Sequence, residues 1–423
     1  MEKKIKEIAK VSILIVATLL FCSEMTFVAR QSNNYELLLN VIIFLFIIFG
    51  IGSVLARRKE LDAVIVTLTV AYFVARIVSY MLNGKTITYG GAMMVQAFYL
   101  IGINRWVFGG KKYRRIALYS FLIFDIAAVL LCYFNVHFRY SYVEKLVLNH
   151  WDVGMNFGTN AFQNPNYAGM LAGAAIITCF AILMNKKFSK RWRWILLPVI
   201  LLNLYTLVKY TSCRSAETGL VVVFMAFVLI KIIKRVDSIK LITGLMLVVC
   251  FLTLVPIRAT VYWHDNEHYL MDISPVEQIL DKASSNRYAI WKTVFLSQKN
   301  HELLGYANSS NAKDKREELL KNFDQTRVAD NYRIAVEHPR QHNGYVATYN
   351  EAGILGTVLL MLLLLRRIMM LKGRFRDGKW EYLLLIYIFW INLFEAKLIN
   401  ATFFTGFLMM ILLMPDDEEN INS

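Results

Sequence analysis

The chain has 423 residues, of which 57% are hydrophobic and 18% are charged, and its formal net charge is +16. This composition excludes a water-soluble globular protein, because the apolar residues stand in long blocks along the whole sequence. The positive charge does not indicate nucleic acid as a partner, since the basic residues are confined to short segments between those blocks. The sequence therefore predicts an all-α, polytopic membrane protein.

The apolar blocks are long enough to be transmembrane helices. A helix needs about 20 mainly apolar residues to cross the hydrocarbon core of a bilayer, and on this criterion we predict a bundle of about 12 transmembrane helices. They lie at 8–29, 36–56, 61–82, 88–106, 114–134, 166–185, 194–210, 217–234, 240–257, 343–365, 381–397 and 400–414. The first block is not predicted to be a cleaved signal peptide, because no small-residue cleavage site follows it.

Lys and Arg concentrate in every second loop. These loops contain "MEKKIK", "RRKE", "KKYRR", "NKKFSKRWR", "KIIKR" and "RRIMMLKGRFRDGK". By the positive-inside rule they are cytoplasmic, so both termini are predicted to be cytoplasmic and the long loops 135–165 and 258–342 to lie outside. We expect an N-terminal membrane bundle at 1–257, a large extracytoplasmic helical loop at 258–342, and C-terminal spans with a cytoplasmic tail at 343–423.

The large outer loop is predicted to contain short helices. The segments "SPVEQILDKA", "NRYAIWKTVFLSQ" and "NAKDKREELLKNF" have helical periodicity. The stretch "HDNEH" at 264–268 is a rival metal site in the same loop. We do not favour it, because its spacing does not place the ligands on one face of a helix. No metal or other cofactor is predicted.

Polar residues stand at the point where this loop re-enters the membrane. In "RQHNGYVATYNEAGILG", His342 and Asn343 precede the tenth span and Glu351 lies about two turns into it. A histidine here also fits an interfacial side chain beside an Asn343 helix cap. Arg76 lies inside the third span, where a charge is expensive, so we expect it to have a partner or to bind a lipid phosphate.

Four motifs together carry a resemblance to a known family. They are "NPNYAGMLAG" opening the sixth span, "SCRSA" before the eighth, "NRYAIWK" with "LLGYA" in the large outer loop, and "HNGYVATYNEAGILG" entering the tenth. In this order and at these positions they resemble the O-antigen polymerases and O-antigen ligases of bacterial polysaccharide assembly. The motifs extend over the C-terminal two-thirds of the chain. Cys213 is a departure, since the family commonly has a small hydroxyl residue or glycine there.

The resemblance implies a lipid-linked sugar transferase of the GT-C type in the bacterial cytoplasmic membrane, with its site on the outer face. The donor would be an oligosaccharide on undecaprenyl diphosphate, and the acceptor a sugar hydroxyl. Arg214 and Arg287 would stabilise the diphosphate leaving group, because guanidinium groups bind such oxygens bidentately and without a metal. His342 would take the proton of the acceptor hydroxyl as general base.

Further polar residues are candidates for binding the substrate, and the resemblance also implies the partners of the protein. The substrate-binding candidates are Arg76, Asn164, Asn166, Asn343 and Glu351. Either Asn343 or Glu351 would also orient the catalytic histidine. The implied partners are the lipid-linked oligosaccharide, membrane lipid, a flippase and a chain-length regulator.

Three functions remain open at this point. A polymerase would extend a lipid-linked chain by repeat units, and a ligase of the same family would transfer a finished glycan to another acceptor. A transporter would place its polar residues through the middle of the membrane. We prefer the polymerase, because the polar residues cluster on one side and no feature suggests a dedicated macromolecular acceptor.

Overall fold

The structure is a computed structural model, and the part of the chain that it describes is almost entirely helical. It describes residues 2–26, 33–56, 62–83, 110–133, 162, 165–185, 190–211, 213–233, 237–263, 275–284, 287–298, 301–307, 317–318, 321, 342–371, 379–395 and 404–414. Within these ranges the β pairing is limited to an isolated antiparallel bridge between Thr26 and Phe162. The predicted all-helical architecture is confirmed for these residues.

The helices follow the predicted spans closely. They are α1 (Glu2–Ser23), α2 (Asn33–Ala56), α3 (Ala63–Leu82), α4 (Lys111–Tyr133), α5 (Pro165–Leu183), α6 (Lys190–Thr206), α7 (Arg214–Ile232), α8 (Ser238–Trp263), α9 (Pro275–Ala283), α10 (Arg287–Ser297), α11 (Gly344–Met370), α12 (Leu383–Ile391) and α13 (Phe404–Leu412). A π-helical turn, Leu207–Thr211, continues α6, and a 3₁₀ turn, Trp380–Tyr382, precedes α12.

Seven helices in the described part of the chain are long and apolar enough to cross a membrane. They are α3, α4, α5, α6 with its π-helical continuation, α7, α8 and α11. The predicted count of about 12 is not confirmed. The predicted span 88–106 lies outside the described residues. The last two spans are represented by α12 and α13, which have nine residues each.

The short helix α12 lies at the centre of the bundle, packed against α5, α7 and α8. Small residues let these helices approach it closely. A Cβ atom added at Gly173 of α5 or at Gly219 of α7 would collide with the Tyr387 ring of α12. The Tyr387 hydroxyl donates a hydrogen bond to the Met170 carbonyl oxygen over 3.0 Å. These contacts fix the position at which the chain leaves α12.

Ion pairs join the helix ends that are predicted to be cytoplasmic. Arg366, near the end of α11, pairs with Asp62 at the start of α3 over 2.6 Å. Arg114 of α4 pairs with Glu381 over 3.2 Å, and its guanidinium lies 4.9 Å from the centre of the Tyr382 ring. The Arg366 pair lies at the opposite end of α11 from His342.

The long helix α11 is broken at Gly353, whose backbone angles are φ 64° and ψ −165°. Residues 301–307 lie across the break and supply backbone hydrogen-bond partners to both halves of the helix. Those bonds are Tyr306 N to Asn350 O (2.8 Å), Ala307 N to Glu351 O (3.0 Å), Ile354 N to Glu302 O (2.7 Å) and Leu355 N to Leu303 O (3.1 Å). The break is therefore stabilised by specific backbone hydrogen bonds, which bring "LLGYA" into contact with "NEAGILG".

Candidate active site

A buried carboxylate joins two of the residues that the sequence selects as catalytic. Glu395 lies just after α12 and is 8% exposed. Its Oε1 atom lies 3.5 Å from Nη2 of Arg287, and its Oε2 atom lies 3.8 Å from Nδ1 of His342. Arg287 and His342, which come from separate motifs, therefore face the same side chain.

The start of α11 fixes His342 next to Glu395. The Asn343 side chain caps this helix, because its Oδ1 atom accepts hydrogen bonds from the backbone nitrogens of Tyr345 and Val346. The Gly344 N–H donates to the Asn392 carbonyl oxygen over 2.7 Å, which ties the start of α11 to the turn after α12. The predicted Asn343 cap is confirmed, and its oxygen is used by the helix.

Arg287 is held by the start of α10. Two side chains from the end of α9 and the turn after it cap α10, since Tyr288 N donates to Ser284 Oγ over 2.8 Å and Ala289 N donates to Asp281 Oδ1 over 3.0 Å. The helix packs on α8 and α11. Because α10 is buried along its length after Arg287, the arginine is presented from a rigid support.

A second charged residue of α10 anchors this helix to α9. Lys292 is almost completely buried, and its ammonium group lies 2.7 Å from Glu277 Oε1. Burial lowers the pKa of Lys292 below the ordinary lysine value, and the ion pair with Glu277 acts in the opposite direction. The pair gives the buried ammonium a partner and so fixes α10 relative to α9.

Arg214 begins α7 and is exposed. In the described part of the chain its guanidinium has no ion-pair partner. The preceding residue, Cys213, interacts electrostatically with both Glu395 and Arg287. The N-terminus of α7 therefore lies close to the Glu395 cluster, and the dipole of a helix favours an anion at its N-terminus.

The "NPNYAGMLAG" motif packs against the same turn. The Cys213 thiol donates to the Asn166 carbonyl oxygen over 3.6 Å. A Cβ atom added at Gly169 would collide with the Cys213 side chain, so this glycine permits the close approach of α5 and α7. Asn166 is partly buried, and Asn164 lies outside the described residues.

Arg76 and Glu351 form a separate pair further along α11. Arg76 Nη2 lies 3.1 Å from Glu351 Oε2, and the Arg76 guanidinium lies 5.9 Å from the centre of the Tyr80 ring. The sequence predicts that Arg76 has a partner or binds a lipid phosphate, and the structure shows that its partner is Glu351. Arg76 Nη1 is buried and has no hydrogen-bond partner among the described residues. Glu395, rather than Glu351, is the carboxylate near His342.

Glu395 is the residue of this cluster that the sequence analysis missed. It lies in "NLFEAK", inside the predicted span 381–397. An acidic residue within a membrane span costs free energy unless it is paired. This cost alone marks Glu395 as a residue that needs a partner or has a function. No group of three or more His, Cys, Asp or Glu side chains that could hold a metal occurs in the ranges that the structure describes. The 264–268 stretch lies outside those ranges.

Comparison with known proteins gives one family match. Residues 200–361 match the model of the O-antigen ligase family. The matched segment extends from α6 into α11 and contains Arg214, Arg287 and His342. No curated protein matches the chain. The match over residues 200–361 supports the O-antigen polymerase and ligase family for this chain.

Proposed function

We propose that the protein is a polysaccharide polymerase that joins undecaprenyl-diphosphate-linked oligosaccharide repeat units at the outer face of the cytoplasmic membrane. The observation that carries this proposal is the convergence of Arg287 and His342 on Glu395, within the segment that matches the O-antigen ligase family. An arginine and an imidazole in one cluster supply the two groups that transfer from a diphosphate requires: a stabiliser of the leaving group and a base.

The leaving diphosphate is bound by Arg214, Arg287 and the N-terminus of α7. Negative charge develops on the diphosphate as its bond to the anomeric carbon breaks. Guanidinium groups meet this charge with two N–H donors each, and the helix dipole adds a favourable field. The exposure of Arg214 supports this role, because its side chain is accessible to a ligand. The charge is carried without a divalent ion.

His342 is the general base. The acceptor hydroxyl transfers its proton to the imidazole while the hydroxyl oxygen forms the new bond to the anomeric carbon. The bond between this carbon and the diphosphate oxygen breaks, and its electron pair leaves with the diphosphate. The product is a longer glycan, carried by the acceptor's own lipid diphosphate, and a released undecaprenyl diphosphate.

The remaining candidates bind the substrate around this centre. Arg76 and Glu351 lie beside the break in α11, where the partly exposed Glu351 carboxylate would accept hydrogen bonds from sugar hydroxyls and Arg76 would hold it in place. Asn164 and Asn166 stand at the start of α5, beside Cys213. Asn343 is buried and contributes by capping α11, which positions His342 beside Glu395.

The topology is part of the proposal. The 258–342 loop faces the outside and both termini face the cytoplasm. The ion pair of Asp62 with Arg366 supports this arrangement, because it joins two helix ends that border basic loops, at the opposite end of α11 from His342. A flippase would deliver the donor to this outer face, and a chain-length regulator would act on the growing product.

A ligase is the second candidate, because the matched family is described as O-antigen ligase. Both reactions use the same leaving group and the same base, and they differ in the acceptor. We prefer the polymerase because nothing in the sequence suggests a dedicated macromolecular acceptor site. A transporter is disfavoured, since the paired charges of the Glu395 cluster lie at one end of the helices rather than along a path through them.

The test is the polysaccharide made by cells that carry single variants. Arg287→Lys and His342→Ala are expected to abolish the ladder of chain lengths at normal protein levels, because lysine cannot reproduce the bidentate contact and alanine removes the base. Arg366→Lys and His301→Ala are matched controls outside the cluster and should leave the ladder intact. A normal ladder in both Arg287→Lys and His342→Ala would reject the proposal.

The acceptor is identified with purified protein and a lipid-linked repeat unit as sole substrate. A polymerase produces chains of several repeats that remain on undecaprenyl diphosphate. A ligase leaves the repeat unit unextended until a second acceptor is added. The second result would replace the polymerase with the ligase while keeping the same catalytic residues.

A further inference from the structure

We propose that Glu395 is a positioning residue that exchanges partners during the reaction, and this inference rests on the proposed function. Before the donor binds, Glu395 neutralises Arg287. When the diphosphate takes Arg287, Glu395 is released to hold the Nδ1–H group of His342. Binding of the donor thereby orients His342 as the general base.

The position of the carboxylate carries this inference. Its two oxygens face different partners, Arg287 at 3.5 Å and His342 at 3.8 Å. A charge-assisted hydrogen bond in its optimal geometry is about 2.7–2.9 Å long. Neither partner therefore holds Glu395 at full strength, and a small rotation of its side chain favours one partner over the other.

The charges give the exchange a direction. Glu395 and Arg287 are both largely withdrawn from solvent, with side-chain exposures of 10% and 16%. A buried charge without a partner is costly, so the two must neutralise each other when no ligand is present. A diphosphate carries more negative charge than one carboxylate and offers two acceptor oxygens to the guanidinium. It therefore displaces Glu395 from Arg287.

The released carboxylate needs another partner, and His342 is in place. A carboxylate that accepts a hydrogen bond from Nδ1–H fixes the tautomer in which Nε2 is unprotonated. Nε2 then takes the proton of the acceptor hydroxyl, and the negative carboxylate stabilises the imidazolium that forms. The bonds made and broken at the anomeric carbon are those of the proposed transfer, so no further reactant is required.

The backbone restricts the movement to side chains. The hydrogen bond from Gly344 N to the Asn392 carbonyl oxygen joins the segment that carries His342 to the segment that carries Glu395. Arg287 is on a different support, α10. The base and its carboxylate are thus held as one unit, whereas the arginine is free to change partner. Among the described residues, the Cys213 thiol at the start of α7 also interacts electrostatically with Glu395.

The decisive variant is Glu395→Gln, which keeps the size of the side chain and removes its charge. The base loses its stabilising carboxylate, so kcat should fall about tenfold or more, which is part of the roughly 10²–10⁴ that a general base contributes. The donor KM should not rise, because Arg287 no longer has a competing anion. Glu395→Asp retains the charge on a side chain that is one methylene shorter, so its kcat should lie between those of the wild type and Glu395→Gln. Glu381→Gln breaks the equivalent Arg–Glu pair with Arg114 at the other end of the bundle and should change neither constant.

Binding of inorganic pyrophosphate tests the exchange without turnover. Pyrophosphate should raise the unfolding temperature of purified Glu395→Gln more than that of the wild type, and should have little effect on Arg287→Lys. A wild-type kcat in Glu395→Gln, or pyrophosphate stabilisation no greater than in the wild type, would overturn the inference. If Glu395→Gln does not fold, Glu395→Asp decides: kcat reduced with an unchanged KM supports the inference, and unchanged kcat with a raised KM overturns it.

The two proposals fail in different ways. Inactive Arg287→Lys and His342→Ala together with unchanged kinetics in Glu395→Gln would remove the role of Glu395 and leave the transferase intact. A normal polysaccharide ladder in Arg287→Lys and His342→Ala would remove the transferase. The pyrophosphate experiment would then still decide whether an anion and Glu395 compete for Arg287.

Discussion

Replacing Gly353 with alanine tests whether the break in α11 is required for the fold. Gly353 has φ 64° and ψ −165°, a region of backbone space that is almost restricted to glycine. A Cβ atom at this position would collide with the Leu303 carbonyl group and would lie 2.5 Å from the Leu304 backbone nitrogen. These are backbone atoms of the crossing segment 301–307, which cannot rotate away as a flexible side chain would.

The expected loss of stability has two parts. A non-glycine residue in this conformation costs about 1–3 kcal/mol. Relief of the collision requires the crossing segment to move, which breaks the bonds from Ile354 N to Glu302 O and from Leu355 N to Leu303 O. Each is worth about 1 kcal/mol. Gly353→Ala should therefore destabilise the protein by about 3–5 kcal/mol.

Thermal unfolding of the detergent-purified protein measures this effect, with Gly244→Ala as the matched control. Gly244 lies in α8, and a Cβ atom there has no neighbour within 4 Å. Alanine in a helix is better than glycine by about 1 kcal/mol, so the control should be neutral or slightly stabilising. Equal unfolding temperatures for the two variants would refute the account of α11 as a helix whose break is held by residues 301–307.

Three further predictions follow from the topology, the second ion pair and the proposed mechanism. A cysteine introduced at Lys372 should stay unlabelled by an impermeant reagent in intact cells, and strong labelling would reverse the topology and the site with it. Glu351→Gln should lower the unfolding temperature more than Arg76→Met does, because loss of the Glu351 charge leaves a buried guanidinium unpaired at a cost of about 3–5 kcal/mol. The double variant should be more stable than Glu351→Gln alone. An equal loss of stability in the two single variants would contradict this account of the ion pair. Polymerisation by the purified protein should continue in excess EDTA, since arginines carry the diphosphate charge; loss of activity on chelation and its return with Mg²⁺ would move the chemistry to residues 264–268.

Several features of this protein were accessible from the sequence because they depend on local chain properties. Hydropathy over about 20 residues predicts membrane helices wherever they occur. The cap at Asn343 follows from an Asn placed directly before a helical segment. Arg287 and His342 were selected from their motifs. The predicted number of about 12 spans stays unconfirmed, because seven helices of the described residues meet the length criterion and the predicted span 88–106 lies outside those residues.

The contacts between distant segments were decided by the tertiary structure alone. Glu395 is 108 residues from Arg287, and Glu351 is 275 residues from Arg76, so no periodicity connects either pair. Because α12 packs at the centre of the bundle, Glu395, which follows it, lies next to the start of α11. Similarly, Gly353 reads in the sequence as one more small residue of an apolar helix. Its unusual conformation is fixed by the segment 301–307, whose backbone supplies hydrogen-bond partners that the broken helix lacks. The free energy of these contacts depends on which segments meet in space, and the sequence determines that only through the complete fold.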